Sequence, residues 1–444
     1  MNDITFMTIQ ELATALRQRL VSPVEVLEAY LAQFTRHNPT LNALVTLDED
    51  SARRRAEAAD AALAEGEVWG PLHGVPITLK DVHDTAGLRS AMGSARFIDR
   101  VPAEDSTVAA RLKAAGAILL GKTNFELLPD NPFGQTHNPW DLERTPGTSS
   151  SGAAAGLAAG LTALDIGSDM GGSIISPSHY CGVYGMRPTE HRVPMGRFPT
   201  DPVPIFRVMG ALGPMGRSVA DLRLALGIIA GPDERDTEVP PLPLQKVPKP
   251  ALHDLHIAWA STFPGMHIAA DIRIAIEGFA QQLDQRGAHV EQRLPQMDFA
   301  AQAKLCNQFF ELLVSAFGTP APSLADYLTA LHERDAFIVG WEHFFEKWDV
   351  LLCPADVTTA PRLTQLDEPL LVDDEVVASD EAFSPCKLAP TTGHPVVVIP
   401  LAKDRNGLPI GVQVIGRRWG DERLLAIAEV LSEVTGGFQR PPGY

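Results

Sequence analysis

The chain has few cysteines, and they are widely separated. The four are Cys181, Cys306, Cys353 and Cys386, and no two of them form a CxxC pair. Cysteines spaced in this way do not indicate a disulfide framework or a zinc site, and they fit a reducing compartment. The N-terminus, MNDITFMTIQEL, carries acids and lacks the apolar segment of a signal peptide. We therefore expect a cytoplasmic protein.

Positive charge and long apolar runs are also scarce. The chain has 37 Lys and Arg against 55 Asp and Glu, a net charge of −18. Proteins that bind nucleic acid usually carry a basic patch, and an acidic membrane surface repels a chain of this charge. The longest stretch of low charge, residues 145–164, consists mainly of Ala, Gly, Ser and Thr. It is too interrupted to span a membrane, so we expect neither partner.

The apolar pattern indicates strands that alternate with helices. Residues 75–79 and 117–120 read as buried strands, and helices with capping boxes begin after Thr8 and Ser22. Such alternation is typical of an α/β protein. We expect one large twisted sheet, mixed but mostly parallel, with helices on both faces.

Changes in composition divide the chain into four parts. A helical lead-in over 1–65 precedes a core over 66–232, a proline-rich linker over 233–254, and a C-terminal α/β part over 255–444. Proline-rich segments are extended and semi-rigid. The strands on both sides of the linker look equally buried, so we expect the C-terminal part to complete the same domain.

The densest group of unusual residues lies between 146 and 175. Three serines follow one another at 149–151, and Gly171-Gly172-Ser173 comes after a segment of tiny residues. A serine after two glycines has backbone N–H groups nearby, as an oxyanion hole requires. A serine nucleophile also needs a base, and no histidine stands in a recognisable triad spacing. Lys80 follows an apolar strand and can serve as the base if burial leaves it neutral.

Several ordered segments resemble the amidase signature family over about residues 5–430. The strongest are GVPITLKD (74–81), TPGTSSSG (145–152), GSDMGGSI (167–174) and CGVYGMRPT (181–189). Supporting segments are GKTNFE (121–126), NPWD (138–141), GPMGRSVAD (213–221), DVLLCP (349–354) and GLPIGVQVIG (407–416). The resemblance implies the amidase signature fold and hydrolysis of amide bonds without a metal or cofactor.

The resemblance also implies a Ser–cis-Ser–Lys triad. Lys80 matches the base, Ser149 the bridging serine and Ser173 the nucleophile. The positions that match the oxyanion hole are the backbone amides of Met170, Gly171, Gly172 and Ser173. Ser150 matches a second serine that supports the network, and we expect Asp169 to hold the loop. Neutral Lys80 would then receive the proton of Ser173 through Ser149.

The chain departs from the family pattern at three positions. Thr148 and Ser151 stand where glycine is common, and Ile175 stands where the family often has arginine. Loss of that arginine favours an apolar or neutral substrate over a small charged one. Together with the aromatic-rich segment 300–348, it favours aryl or alkyl acylamides and carbamates (urethanes). The expected partners are this small-molecule substrate and, at most, a second copy of the chain.

Three alternatives stay open at this point. One is the glutaminase subunit of a tRNA-dependent amidotransferase, which would need partner subunits. Another is a non-catalytic binding protein that kept the fold. The last is a nucleotide-binding protein, because residues 116–123 satisfy the pattern GxxxxGK[ST]. A phosphate-binding loop lies between a strand and a helix, whereas a strand is predicted inside this segment, so nucleotide binding is disfavoured.

Overall fold

The computed structural model describes residues 4–195, 208–315, 323–365, 368–373, 375–377 and 384–444. Its helices are α1 (Ile9–Arg17), α2 (Pro23–Leu41), α3 (Glu49–Ala64), α4 (Thr107–Ala114), α5 (Ser151–Ala158), α6 (Ile175–Cys181), α7 (Val219–Ile229), α8 (Ala270–Gln285), α9 (Phe299–Ser315), α10 (Leu324–Phe344), α11 (Ser384–Thr392) and α12 (Asp421–Thr435). Its strands are β1 (Leu44–Leu47), β2 (Pro76–Lys80), β3 (Ile118–Thr123), β4 (Asp165–Asp169), β5 (Tyr184–Arg187), β6 (Ala211–Gly216), β7 (His256–Trp259), β8 (His289–Gln292), β9 (Val350–Pro354), β10 (Leu370–Val372), β11 (Glu375–Val377), β12 (Val396–Lys403) and β13 (Pro409–Gly416).

The largest described sheet has eight strands in the order β4-β6-β5-β12-β13-β9-β7-β8. Five of its seven neighbouring pairs are antiparallel, and the pairs β9–β7 and β7–β8 are parallel. The α/β fold with a large mixed sheet is confirmed, but the expectation of a mostly parallel sheet is wrong. Parallel neighbours need a long crossover, whereas the tight turn at Asn406-Gly407 joins β12 directly to an antiparallel β13.

Both faces of this sheet are covered by helices. In β12, Val397 and Ile399 join an apolar cluster with residues of α7, α8 and α12. Val396 and Val398 point the other way, into a cluster with residues of α6, α10 and α11. Side chains in a strand alternate between faces, so a strand buried on both faces carries a continuous apolar run.

A second, three-stranded sheet has the order β1-β3-β2. β2 is parallel to β3, with Lys80 opposite Thr123, and β1 is antiparallel to β3. β1 lies inside the segment that the sequence predicted to be helical, because four residues give too short a pattern to detect. The Thr78 N–H donates to the Leu164 carbonyl at 3.0 Å, so the Lys80 strand lies beside the start of β4.

The capping boxes at Thr8 and Ser22 are both present. The eight-stranded sheet combines strands from both sides of the proline-rich segment. Among the described helices, none combines the length and apolar character that crossing a membrane requires. The proline- and glycine-containing loop between β5 and β6 lies largely outside the described residues, at 196–207.

Candidate active site

Lys80 lies at the centre of a cluster of serine hydroxyl groups. It ends β2, and its side chain is fully buried. Its Nζ lies 2.5 Å from Ser149 Oγ, 2.9 Å from Ser150 Oγ and 2.8 Å from Ser168 Oγ. A neutral amine has a lone pair, so one of these hydroxyls can donate to Nζ while the others accept from it. The cluster can therefore pass a proton between a serine and the lysine.

Burial changes the acid–base behaviour of this lysine. Desolvation lowers the pKa of Lys80 to about 7, and the nearby charges of Asp169 and Asp165 partly oppose this shift. A buried ammonium loses its hydration, which favours the neutral amine. Lys80 is therefore poised to accept a proton near neutral pH, as a general base must.

The loop before α5 holds Ser149 in an unusual conformation. Ser149 has a φ of +63°, and its N–H donates to the Glu126 carbonyl at 3.0 Å. Gly147 has a φ of +107°, and a Cβ there would lie 2.6 Å from Pro177 Cα. Thr148 is exposed, so its branched side chain fits without disturbing the buried serines. The close approach to α6 explains why this loop needs glycine at 147.

Asp169 organises the loop between β4 and α6. Its carboxylate accepts hydrogen bonds from the N–H groups of Gly172 at 3.0 Å and Ile174 at 2.7 Å. The Arg187 guanidinium lies 3.4 Å from the same carboxylate, and both side chains are fully buried. The charge pair and the two backbone donors fix the path of the loop around Ser173.

The four backbone amides assigned to an oxyanion hole are not equivalent. The Gly172 N–H already donates to Asp169 Oδ1. Within the described chain, the N–H groups of Met170, Gly171 and Ser173 have no acceptor. Met170, Gly171 and Ser173 are also only half-buried, unlike the residues behind them. These three amides remain available to a negatively charged oxygen atom.

Ser173 lies on this partly open loop. Its Oγ makes no hydrogen bond to any described residue, so the contact between Ser173 and Ser149 that a complete triad needs is not formed here. The structure thus brings Lys80, Ser149 and Ser150 into direct contact, and it places Ser173 on the loop that Asp169 holds. Catalytic hydrogen bonds often tighten only when substrate binds.

Three residues at this site were missed by the sequence analysis. Ser168 contacts Lys80 Nζ, and its only signal was its place between Gly167 and Asp169. Cys386 and Phe310 pack on the glycines before Ser173. A Cβ at Gly172 would lie 2.4 Å from Cys386 Sγ, and one at Gly171 would lie 2.5 Å from the Phe310 ring. Both residues are distant in sequence, so only tertiary structure reveals them.

Ile175 does not line an open pocket. It is fully buried in a cluster that includes Trp341 and Cys386. Beside it, Ser176 Oγ donates to Asp356 Oδ2 at 2.6 Å, and burial raises the pKa of Asp356 to about 7. Core packing therefore accounts for the apolar side chain at 175, which weakens the argument from this position to an apolar substrate.

Two buried histidines and the nucleotide-like segment have structural roles. His83 and His179 are fully or almost fully buried, and each binds backbone groups: His83 Nε2 lies 2.8 Å from the Ile166 carbonyl, and His179 Nδ1 accepts from Gly411 N–H at 2.8 Å. In the nucleotide-like segment, Lys122 is a buried strand residue that donates to the His83 carbonyl. No described helix follows it before α5, so this segment does not form a phosphate-binding loop.

Comparison with known proteins identifies the family. The Amidase family model matches residues 25–319 and 306–425. The chain is 31% identical over 493 residues to a Glutamyl-tRNA(Gln) amidotransferase subunit from Moorella thermoacetica, and the alignment covers 99% of both chains. The chain therefore belongs to the amidase family.

Solved structures have the same fold. One, described as part of a vestigial protein complex that reveals the origins of an s-triazine catabolic enzyme, has a TM-score of 0.86 and 28% identity, with 98% of this chain and 100% of that chain covered. A bacterial aryl acylamidase of the amidase signature family has a TM-score of 0.83 at 24% identity, with 97% and 96% covered. At that identity the aryl acylamidase supports the shared fold alone.

Proposed function

We propose that this protein hydrolyses C–N bonds of amides through an acyl-enzyme on Ser173. The observation that carries the proposal is the contact of 2.5 Å between buried Lys80 Nζ and Ser149 Oγ, beside a glycine loop with free N–H groups. A base and a relay hydroxyl next to such a loop are the parts that serine-based acyl transfer requires. Membership of the amidase family supports the same chemistry.

The proposed reaction begins with neutral Lys80. Ser149 passes its proton to Lys80 Nζ and receives the proton of Ser173, whose Oγ attacks the substrate carbonyl. The amides of Met170, Gly171 and Ser173 stabilise the resulting oxyanion. The Lys80 ammonium returns the proton through Ser149 to the departing amine, and the C–N bond breaks. Water then attacks the ester carbonyl, passes its proton along the same route, and releases the acid and Ser173.

The apolar surface next to the loop favours substrates with an apolar acyl group. Met170 and Phe310 are half-buried and pack with residues of α9 and α10. The Phe310 ring lies against Gly171, on the loop that carries the nucleophile. An acyl chain held at Ser173 would thus meet apolar surface. Aryl or alkyl acylamides and the corresponding carbamates are the substrates that this arrangement supports.

A second candidate is the glutaminase reaction of a tRNA-dependent amidotransferase. Its specific support is the full-length similarity to Glutamyl-tRNA(Gln) amidotransferase subunits, at 31% identity in the Moorella relative and 32% in another from Roseiflexus. The burial of Ile175 removes one argument against this candidate, since that position does not itself report on the substrate. A protein with this role would act together with partner subunits.

One panel of substrates distinguishes the two candidates. We would measure amine or ammonia release from nitroanilides with short and long acyl chains, an aryl carbamate of the same amine, and glutamine. Each assay would be run on wild type and on Ser173→Ala. Release from the anilides or carbamate that Ser173→Ala abolishes supports the hydrolase. Release from glutamine alone supports the second candidate, and Ser173-independent release contradicts both.

A further inference from the structure

A buried carboxylate lies against the face of the three-stranded sheet that carries the Lys80 side chain. Asp165, the first residue of β4, is fully buried. Its Oδ2 accepts from Thr78 Oγ1 at 2.5 Å and from Thr123 Oγ1 at 3.0 Å. Thr78 precedes Lys80 by two residues on β2, and Thr123 is opposite Lys80 on β3. Residues two apart in one strand, and residues opposite each other in neighbouring strands, point to the same face of a sheet. Thr78, Thr123 and Lys80 therefore share a face, and the carboxylate of Asp165 lies on it.

The charges around Lys80 come from several elements. Those of Asp169 and Asp165, from β4, act on Lys80 itself. Asp81, after β2, interacts with Lys122 from β3, and Arg187 from β5 interacts with Asp169. His83, also after β2, is buried, and this burial lowers its pKa to about 3. Asp169 is paired with Arg187 and holds the nucleophile loop. Asp81 accepts from the N–H groups of Ala91 and Gly93. Asp165 differs from both, because its partners are two neutral hydroxyls and its Oδ1 has no described hydrogen bond.

We infer that Asp165 is a positioning residue for Lys80. Its carboxylate determines how tightly Lys80 holds the proton that it receives from the serines. The inference rests on the proposed function. When Lys80 takes up a proton, a cation forms in a buried site, where an opposite charge interacts strongly. Burial raises the pKa of Asp165 to about 6, and the two threonines partly oppose this shift because both donate to the same carboxylate oxygen. Asp165 thereby favours the protonated lysine.

Removal of this charge should shift the pH profile. In Asp165→Asn the side chain keeps its shape and can still accept from the threonines, but it has no charge. Lys80 should then lose its proton at lower pH, so the acidic limb of kcat/KM moves down by about one pH unit. The plateau should also fall, because the protonated lysine is less stable. A purely structural role would lower the plateau and leave the limb in place.

A second variant keeps the inference testable if Asp165→Asn does not fold. Thr78→Val removes one donor to Asp165 with almost no change of shape, so the carboxylate stays protonated to higher pH. Its acidic limb should move in the same direction by a smaller amount. Asp81→Asn is the matched control, because it neutralises another buried carboxylate that does not contact Lys80. Its limb should coincide with that of wild type.

The Lys80 pKa should also be measured directly. NMR titration of the lysine side-chain nitrogens, with the Lys80 signal identified by its absence in Lys80→Met, needs no turnover. A lower Lys80 pKa in Asp165→Asn or Thr78→Val supports the inference, and an unchanged value in the folded variants overturns it. Failure of the proposed function would look different: wild type would release no amine in a Ser173-dependent way, while the NMR titration would still decide the role of Asp165.

Discussion

Lys80 Nζ and Ser149 Oγ lie 2.5 Å apart although 69 positions separate them in the chain. The strand β2 supplies the lysine, and the loop before α5 supplies the serine at a φ of +63°. Their contact is buried from water, where a hydrogen bond is electrostatically stronger than at the surface. This contact links the lysine, whose pKa is lowered, to the loop region where we propose that acyl transfer takes place.

Replacement of Lys80 by methionine should abolish most turnover. Methionine fills similar space but cannot accept a proton, so kcat should fall by about 10²–10⁴-fold, the usual contribution of a general base. The variant should remain folded, since it removes a buried ionisable group. Steady-state rates and thermal unfolding would be measured together. A variant with more than half of the wild-type rate would contradict the assignment of Lys80 as base.

The rate of hydrolysis should rise with pH through about 7. In the proposed reaction the neutral form of Lys80 is the base, and burial lowers its pKa to about 7, so protonation below that pH should remove activity. A pH profile of kcat/KM from 5 to 9 would locate the inflection, with buffers overlapped to exclude buffer effects. An acidic limb near 4, with full activity at pH 6, would exclude Lys80 as the group that titrates.

The same lysine should make folding stability depend on pH. Its folded-state pKa, about 7, lies below the ordinary lysine value of 10.5, so the unfolded state binds more protons between these values. The contribution of Lys80 to the free energy of unfolding therefore increases with pH across that window. Urea unfolding at several pH values, with Lys80→Met as the control, would isolate it. Identical pH dependence in both proteins would contradict the shift.

Alanine in place of Gly172 should distort the loop between β4 and α6, which carries Ser173, and so lower activity. Its φ of +107° is unfavourable for alanine, and the added Cβ would lie 2.4 Å from Cys386 Sγ. We expect at least about a 10²-fold loss of kcat/KM, comparable to loss of an oxyanion-hole donor. The matched control is Gly227→Ala in α7, where no atom lies within 4 Å of the new Cβ. Equal activity of the two variants would show that the loop tolerates a shift.

Phe310 should determine preference for the acyl group. Phe310→Ala removes apolar surface next to Gly171, so kcat/KM for a long-chain anilide should fall about tenfold, while a short-chain anilide changes less. Phe344→Ala provides a control, because Phe344 is also half-buried but packs in the cluster around Trp341. If Phe310→Ala lowers the rates for both chain lengths equally, Phe310 supports the loop without contacting the acyl group.

Local patterns predicted much of the secondary structure. The capping boxes at Thr8 and Ser22 depend only on neighbouring residues, and both are confirmed. Strand pairing is different, because the same apolar run fits a parallel or an antiparallel neighbour. The short strand β1 was also missed, since its pairing with β3 depends on residues about 75 positions away.

The sequence by itself determined the α/β class, the family resemblance and the identity of Lys80, Ser149 and Ser173 as candidates, because residue types at fixed spacings carry this information. Tertiary structure alone decided which groups surround them. It placed Ser168 and the carboxylate of Asp165 on the Lys80 side, packed Cys386 and Phe310 against the glycine loop, and buried Ile175 in the core. Burial and charge proximity depend on contacts between distant segments, which no local pattern specifies.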